Sequence, residues 1–244
     1  MLKKRLLLAG AVLLSGYFVF IIFYAHPESK SDAVCTKLNI EIKNSTENMY
    51  LGINEITQIL HKAGIDPVGK VLSEIDAGNI ETVLKKNSLI KRAECYKTIN
   101  GTVNVKVYQR TPILRVMTNN GNYYIDSEAK KMPVPNNFSA CLPVATGFID
   151  DDFAQNELYR FTLFLQKNKF WNMQIEQIHV NPNKDIELTP RVGNHQILLG
   201  QIENCEENLS KLKLFYEKVL NRMGWNRYSK INLKYKNQIV CTRI

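Results

Sequence analysis

The chain has 244 residues but only four histidines and five cysteines, and neither set is spaced for chemistry. Cys35, Cys95, Cys141, Cys205 and Cys241 are scattered and make no C-x-x-C pair. That excludes a zinc ribbon or thioredoxin-type motif, and the bridges are too few for a disulfide-dense scaffold. Buried free thiols are expected, with a Cys35–Cys95 bridge between neighbouring strands as the alternative. His26, His61, His179 and His195 form no H-E-x-x-H or H-x-x-x-H. A G-x-S-x-G elbow, a Walker loop and G-x-G-x-x-G are also missing. Metal: none; cofactor: none; catalytic residues: none; the expectation is a protein that is not an enzyme.

Long apolar runs are absent after residue 24, but one precedes it. Lys3-Lys4-Arg5 leads into Leu6 to Tyr24, 19 residues without a charge, long enough to cross a ~30 Å hydrocarbon core as a helix. The basic cluster puts residues 1–5 in the cytoplasm and exports the rest. A cleaved signal peptide is the rival reading. Its apolar region should be shorter, about 7–15 residues, and end at a small-x-small site; this run ends in Phe-Tyr-Ala-His-Pro. Residues 25–34 read as a polar tether. The formal net charge is +9. An exported protein rarely meets nucleic acid, so this charge reads as solubility and affinity for an anionic membrane surface.

Hydrophobic periodicity divides the remainder. Leu38, Ile40 and Ile42 alternate with polar residues as in a half-buried strand. Ile53, Ile56, Ile59 and Leu60 fall at helical spacing, with Gly64 as a stop. A second helix carries Ile80, Val83 and Leu84, with Asn79 as its cap. Ile90 to Ile99 and Thr102 to Tyr108 flank the hairpin signal Asn100-Gly101. The order is βααββ. Then VKVYQRTPILRV (Val105 to Val116) interrupts two apolar runs with Arg110-Thr111-Pro112. Proline is excluded from central strands and pushes Thr111 to an extended conformation, so residues 109–112 read as a joint, which Arg110 would pin by pairing with a carboxylate or else leave exposed.

Strand candidates dominate after Pro112: 113–117, 122–126, 144–148, 175–180, 186–188 and 196–199. Helices are expected over 157–166 and 209–223, the second with Leu209, Leu212, Phe215, Tyr216, Val219, Leu220 and Met223 on one core-facing stripe. Repeated strand–helix crossovers are not evident. Asn237-Gln238 is a turn before a last strand, 239–244. The fold class is α+β, a β-rich domain following the βααββ module.

Asp150-Asp151-Asp152 admits two readings. Behind a type II anchor, a D-x-D string evokes a metal-dependent glycosyltransferase, with Asp150 and Asp152 holding a divalent cation. Alternatively the carboxylates sit just before a helix from Phe153 to Gln166, at its positive end. A membrane-anchored binder of cell-wall glycan is a further alternative.

Several motifs together resemble the bacterial cell-division family FtsQ, called DivIB in Gram-positive bacteria. VNVKVYQRTPILRV is similar to its V-x-V-x-E-R-x-P junction, with Gln109 where glutamate is usual. NGNYYIDSEAKKMP is similar to its Y-x-I-D-x-x-G hairpin, with Ala129 where glycine is usual. IELTPRVGNHQILLGQIENCEENLSKLKLFYEKVL and YSKINLKYKNQIVCTRI resemble its closing segments, with Asn232 in place of aspartate. The resemblance implies a POTRA-like domain over 35–108 and a β-domain over 113–244. It implies a single-pass inner-membrane protein with periplasmic domains at the division septum. Its role would be a non-enzymatic scaffold that binds FtsB and FtsL, with other divisome members as further partners.

The last strand, read as a sheet edge, carries no proline and only Arg243 as a charge. Natural edges are blunted or used, and this one reads as used, by addition of a partner strand. The candidate contacts are Tyr235, Ile239, Val240, Cys241, Thr242 and Arg243, with Arg110 and Pro112 at the domain junction. Lys211, Lys213 and Lys218 either meet acidic partner residues or form a solvated face.

Overall fold

The computed structural model describes residues 16, 17, 20, 33–43, 50–119, 121–135 and 140–244. The span expected over 6–24 and its tether lie almost wholly outside these. Among the described residues no helix is long and apolar enough to cross a membrane.

The first elements are β1 (Lys37–Lys43), α1 (Ile53–Lys62), α2 (Ala77–Lys85), β2 (Ile90–Lys97) and β3 (Thr102–Gln109), in the expected βααββ order. The strands form a sheet of order β1-β3-β2. Val103, Val105 and Val107 of β3 are fully buried, as are Ile56 and Leu60 of α1 and Leu84 of α2. Each such side chain stabilises the fold by roughly 1.5–3 kcal/mol. The α1 N-terminus is closed by the Glu55 carboxylate, which accepts from Gly52 N at 2.9 Å. Helix α2 starts two residues before Asn79, so Asn79 is not its cap.

Five cysteines are free. Strand β3 lies between β1 and β2, so the strands around Cys35 and Cys95 are not neighbours and the bridge is not made. Cys35 is buried as expected, whereas Cys141 is exposed.

The joint is shorter than the sequence suggests. Gln109 ends β3 with 1 % exposure, and its side-chain oxygen accepts from Tyr50 N and Leu51 N. Pro112 opens β4 (Pro112–Thr118) opposite Asp126, at a first-of-strand position that tolerates a missing N–H. Only Arg110 and Thr111 remain between the strands.

A nine-stranded sheet follows. It contains β4, β5 (Gly121–Asp126), β6 (Lys131–Pro133), β7 (Val144–Gly147), β8 (Ile175–Val180), β9 (Ile186–Pro190), β10 (Gln196–Gly200), β11 (Tyr228–Asn232) and β12 (Val240–Arg243). Their order is β12-β11-β10-β9-β8-β7-β4-β5-β6. The pairs β4/β7, β7/β8 and β10/β11 are parallel. Adjacent parallel strands need a crossover, usually helical, and two are present, correcting the reading that crossovers are lacking. One is α3 (Asp151–Gln155), α4 (Glu157–Lys167) and α5 (Lys169–Gln174) between β7 and β8. The other is a 3-10 turn, α6 (Cys205–Phe215), a π-helical stretch over Tyr216–Leu220 and a closing turn Asn221–Met223 between β10 and β11. Leu158, Phe161 and Leu165 of α4 and Leu209, Leu212, Tyr216 and Leu220 of the second crossover are buried in one core with the sheet. Met223, expected on that stripe, is exposed because the helix ends there.

Gly147 is constrained: its φ is +98°, and an added Cβ would meet Val180 O at 2.2 Å.

By compactness the chain forms two units. One comprises the chain up to Asn39 with Pro67–Ala77 and Tyr96–Asn104. The other comprises Ile40–Asp66, Gly78–Cys95 and Val105–Ile244, so it runs unbroken through Arg110 and Thr111.

Ala129 adopts φ +63° in the turn between β5 and β6. Left-handed backbone disfavours a Cβ by about 1–2 kcal/mol. Ala129→Gly is therefore expected to raise Tm by roughly 2–4 °C per kcal/mol recovered, measured by thermal unfolding; an unchanged or lower Tm would contradict the strain.

Candidate partner-binding edge

Strand β12 closes one side of the large sheet. It pairs antiparallel with β11 in the register Tyr228↔Arg243, Lys230↔Thr242, Ile231↔Cys241 and Asn232↔Val240. No described strand pairs with its other side. Side chains alternate across a strand, and the burial follows. Cys241 lies opposite buried Ile231 and, with Ile239, packs against the core. Burial pushes the Cys241 thiol pKa up. Val240, Thr242 and Arg243 are exposed.

The loop into β12 is tied down. Leu233 is buried and its N donates to Leu198 O at 2.9 Å. Lys234 Nζ meets Asp185 Oδ2 at 2.6 Å. Lys234 is the first cause that holds the Asp185 carboxyl below its usual range, and Asp185 in turn raises the Lys234 pKa. Tyr235 falls in this loop, outside both strands, and is 49 % exposed.

The opposite edge is built differently. Strand β6 has three residues, ends in Pro133, and carries Lys131. The Lys131 amine pairs with Asp151 and lies 4.1 Å above the Tyr123 ring. A short strand with lysine and proline is a blunted edge; β12 has neither residue.

A groove of about 310 Å³ lies where the chain enters β12, lined by Leu214, Phe215, Lys218 and Val219 on one side and Asn237 to Ile239 on the other. Its helical wall includes the π-helical stretch, a feature frequent at functional sites. Lys218 is exposed there. Lys211 pairs with Glu207 at 3.5 Å, and Lys213 lies 5.7 Å from the Phe170 ring centroid. The helix is seated by a buried contact that the sequence did not reveal: His195 Nε2 and the Tyr216 hydroxyl are 2.7 Å apart. Burial lowers the His195 pKa.

At the junction Arg110 has its carboxylate. Arg110 Nη1 lies 2.7 Å from Asp126 Oδ2, with side-chain exposures of 15 % and 1 %. The other Asp126 oxygen accepts from Glu128 N and Lys130 N, each at 2.8 Å. Around it Arg110 N donates to Leu89 O, and Ser127 N to Thr111 O. The β5–β6 turn, the α2–β2 loop and the joint are thus bonded to one another.

The acidic string is engaged structurally. Asp150 caps α3, accepting from Phe153 N at 2.8 Å, and pairs with Lys184 at 2.6 Å. Lys184 foremost, then that amide, hold its pKa down. Asp151 pairs with Lys131 and takes the Tyr123 hydroxyl; burial, and then Asp151, push the Tyr123 pKa up to about 12. Asp152 accepts from Asn156 Nδ2. Among the described residues no cluster of three His, Cys, Asp or Glu side chains could hold a metal.

A βααββ module followed, through a joint that carries a buried arginine–aspartate pair, by a mixed sheet defines a two-part class of protein. A POTRA-like domain model matches residues 33–108, and a model described as FtsQ/DivIB, C-terminal related, matches residues 111–242, more than half of the chain. The chain belongs to the FtsQ/DivIB family of cell-division proteins. Among solved structures, the major extracytoplasmic domain of the trans isomer of the cell division protein DivIB from Geobacillus stearothermophilus is 14 % identical, covering 47 % of this chain and 97 % of that one, with a TM-score of 0.34. No curated protein matches the chain.

Breaking the latch leaves a buried charge unpaired. Arg110→Gln or Asp126→Ala is expected to cost about 3–5 kcal/mol in denaturant unfolding; a loss under about 1 kcal/mol, typical of an exposed pair, would contradict its burial. The Asp185–Lys234 tie has a defined pH sign. Its folded-state carboxyl pKa is depressed, so its stabilisation is present above about pH 4, the unfolded value. It is lost as pH falls through the depressed folded value. Asp185→Asn should flatten that acid limb of the unfolding curve; an unaltered limb would contradict the tie.

Proposed function

We propose that the chain is a non-enzymatic scaffold of the bacterial division septum that captures a strand of an FtsB–FtsL-like partner on β12. In this reading residues 6–24 are a single inner-membrane span, residues 1–5 are cytoplasmic, and the POTRA-like and β-rich parts (35–108 and 113–244) stand in the periplasm. The observation that carries it is the asymmetry of the two sheet edges. One, of three residues, carries lysine and proline; the other, of four residues, presents Val240, Thr242 and Arg243 to solvent with no proline. Backbone pairing along β12 would supply affinity and its exposed side chains selectivity. Ile239 and Cys241 contribute by holding the strand against the core, and Tyr235 and Arg243 flank the site. Arg110 and Pro112 fix how the β-rich part follows the first module.

The test is partner capture from division-protein extracts by the full chain. Val240→Lys with Thr242→Lys alters only exposed positions, so the fold is expected to persist while affinity falls about tenfold or more, about 1.4 kcal/mol. Deletion of residues 238–244 should abolish capture. Unchanged affinity in both variants would overturn the edge-strand reading.

A further inference from the structure

The β2–β3 hairpin tip presents an apolar side chain that the turn does not need. Ile99 is 94 % exposed. The loop closes without it, through Thr98 N to Thr102 O at 2.9 Å and Gly101 N to Thr98 O at 3.2 Å. The same tip holds the chain where it comes from the N-terminal segment. Thr36 N donates to Gly101 O at 2.8 Å. Gly101 sits at φ +82°, where an added Cβ would meet Val34 O at 2.8 Å. On the other side Cys35 N donates to Lys70 O, Gly69 N to Cys35 O and Leu72 N to Ala33 O. Residues 33–36 are therefore clamped between the hairpin tip and the 67–72 turn. Two more exposed aliphatics lie on this clamp, Val34 at 44 % and Val68 at 52 %. Lys37 and Lys70 beside them are exposed.

The chain length keeps this face close to the membrane in the single-span reading. Eight residues, 25–32, separate the clamp from the uncharged run that ends at Tyr24. Fully extended they span at most about 30 Å. We propose that Ile99, Val34 and Val68 form a docking face that rests on the lipid bilayer beside the chain's own span, with Lys37 and Lys70 toward anionic headgroups. The inference rests on the single-span reading above. Aliphatic side chains partition into the interface, while basic side chains add attraction to anionic lipid. The first module is then held against the membrane at two points, the tether and the tip.

The test uses the full chain in phosphatidylcholine–phosphatidylglycerol vesicles, with Ile99→Trp. Trp171 is buried and Trp225 partly so, and the parent chain supplies their baseline emission. Replacing the phosphatidylcholine with its brominated form should quench the added emission, and the added emission should be blue-shifted and resist aqueous iodide. Flotation with the vesicles reports the span separately. Flotation with added emission unaffected by brominated lipid overturns the docking face and leaves the span intact. Resistance to iodide without bromine quenching means that protein, from this chain or a second copy, covers the tip, which also overturns it. Failure to float overturns the span and the docking face with it.

Discussion

The parallel pairing of β11 with β10 decides which strand lies at the edge of the large sheet. A parallel neighbour cannot follow by a tight turn, so the chain must travel over the sheet first. The second helical crossover makes that journey, and its buried Leu209, Leu212, Tyr216 and Leu220 are the reason it lies flat on the core. Once β11 is laid outside β10, the following hairpin has one place left, and β12 becomes the edge. The His195–Tyr216 contact sits at the foot of this arrangement, and the Asp185–Lys234 pair holds the loop that turns back into β12.

The Arg110–Asp126 latch plays a comparable part at the joint. Asp126 ends β5, and its two oxygens are divided between a guanidinium from the link and two amides of its own turn. One carboxylate thus orders both the turn and the link. Pro112 can open β4 because the strand begins there, and the backbone around it is bonded from Arg110 to Ser127.

Much of this was legible in the residue pattern. Alternation in Leu38 to Ile42 and in Val103 to Val107 marks strands because one face of each turns toward the core, partly buried in the first and fully buried in the second. The βααββ order followed from two amphipathic helices between such runs. The short elements α3, α5 and β6, of three to six residues, lay below the length at which periodicity speaks. Strand order was also illegible, since the parallel pairings join segments about thirty residues apart and no local signal specifies them. The carboxylate for Arg110 was anticipated as a type but not as Asp126, because only the fold brings positions 16 residues apart together. On the candidate edge, a last strand was expected over 239–244 after the Asn237-Gln238 turn, and it spans Val240–Arg243. Which of its side chains face the core depended on its register with β11 and turned Ile239 and Cys241 inward.

The most direct test is hydrogen exchange at the β12 backbone, with and without the captured partner. Added strand pairing protects amides that otherwise face water. The account expects partner binding to slow exchange in Val240 to Arg243 while the β6 edge, Lys131 to Pro133, exchanges as before. Protection that appears elsewhere on the sheet, with β12 unchanged, would contradict it.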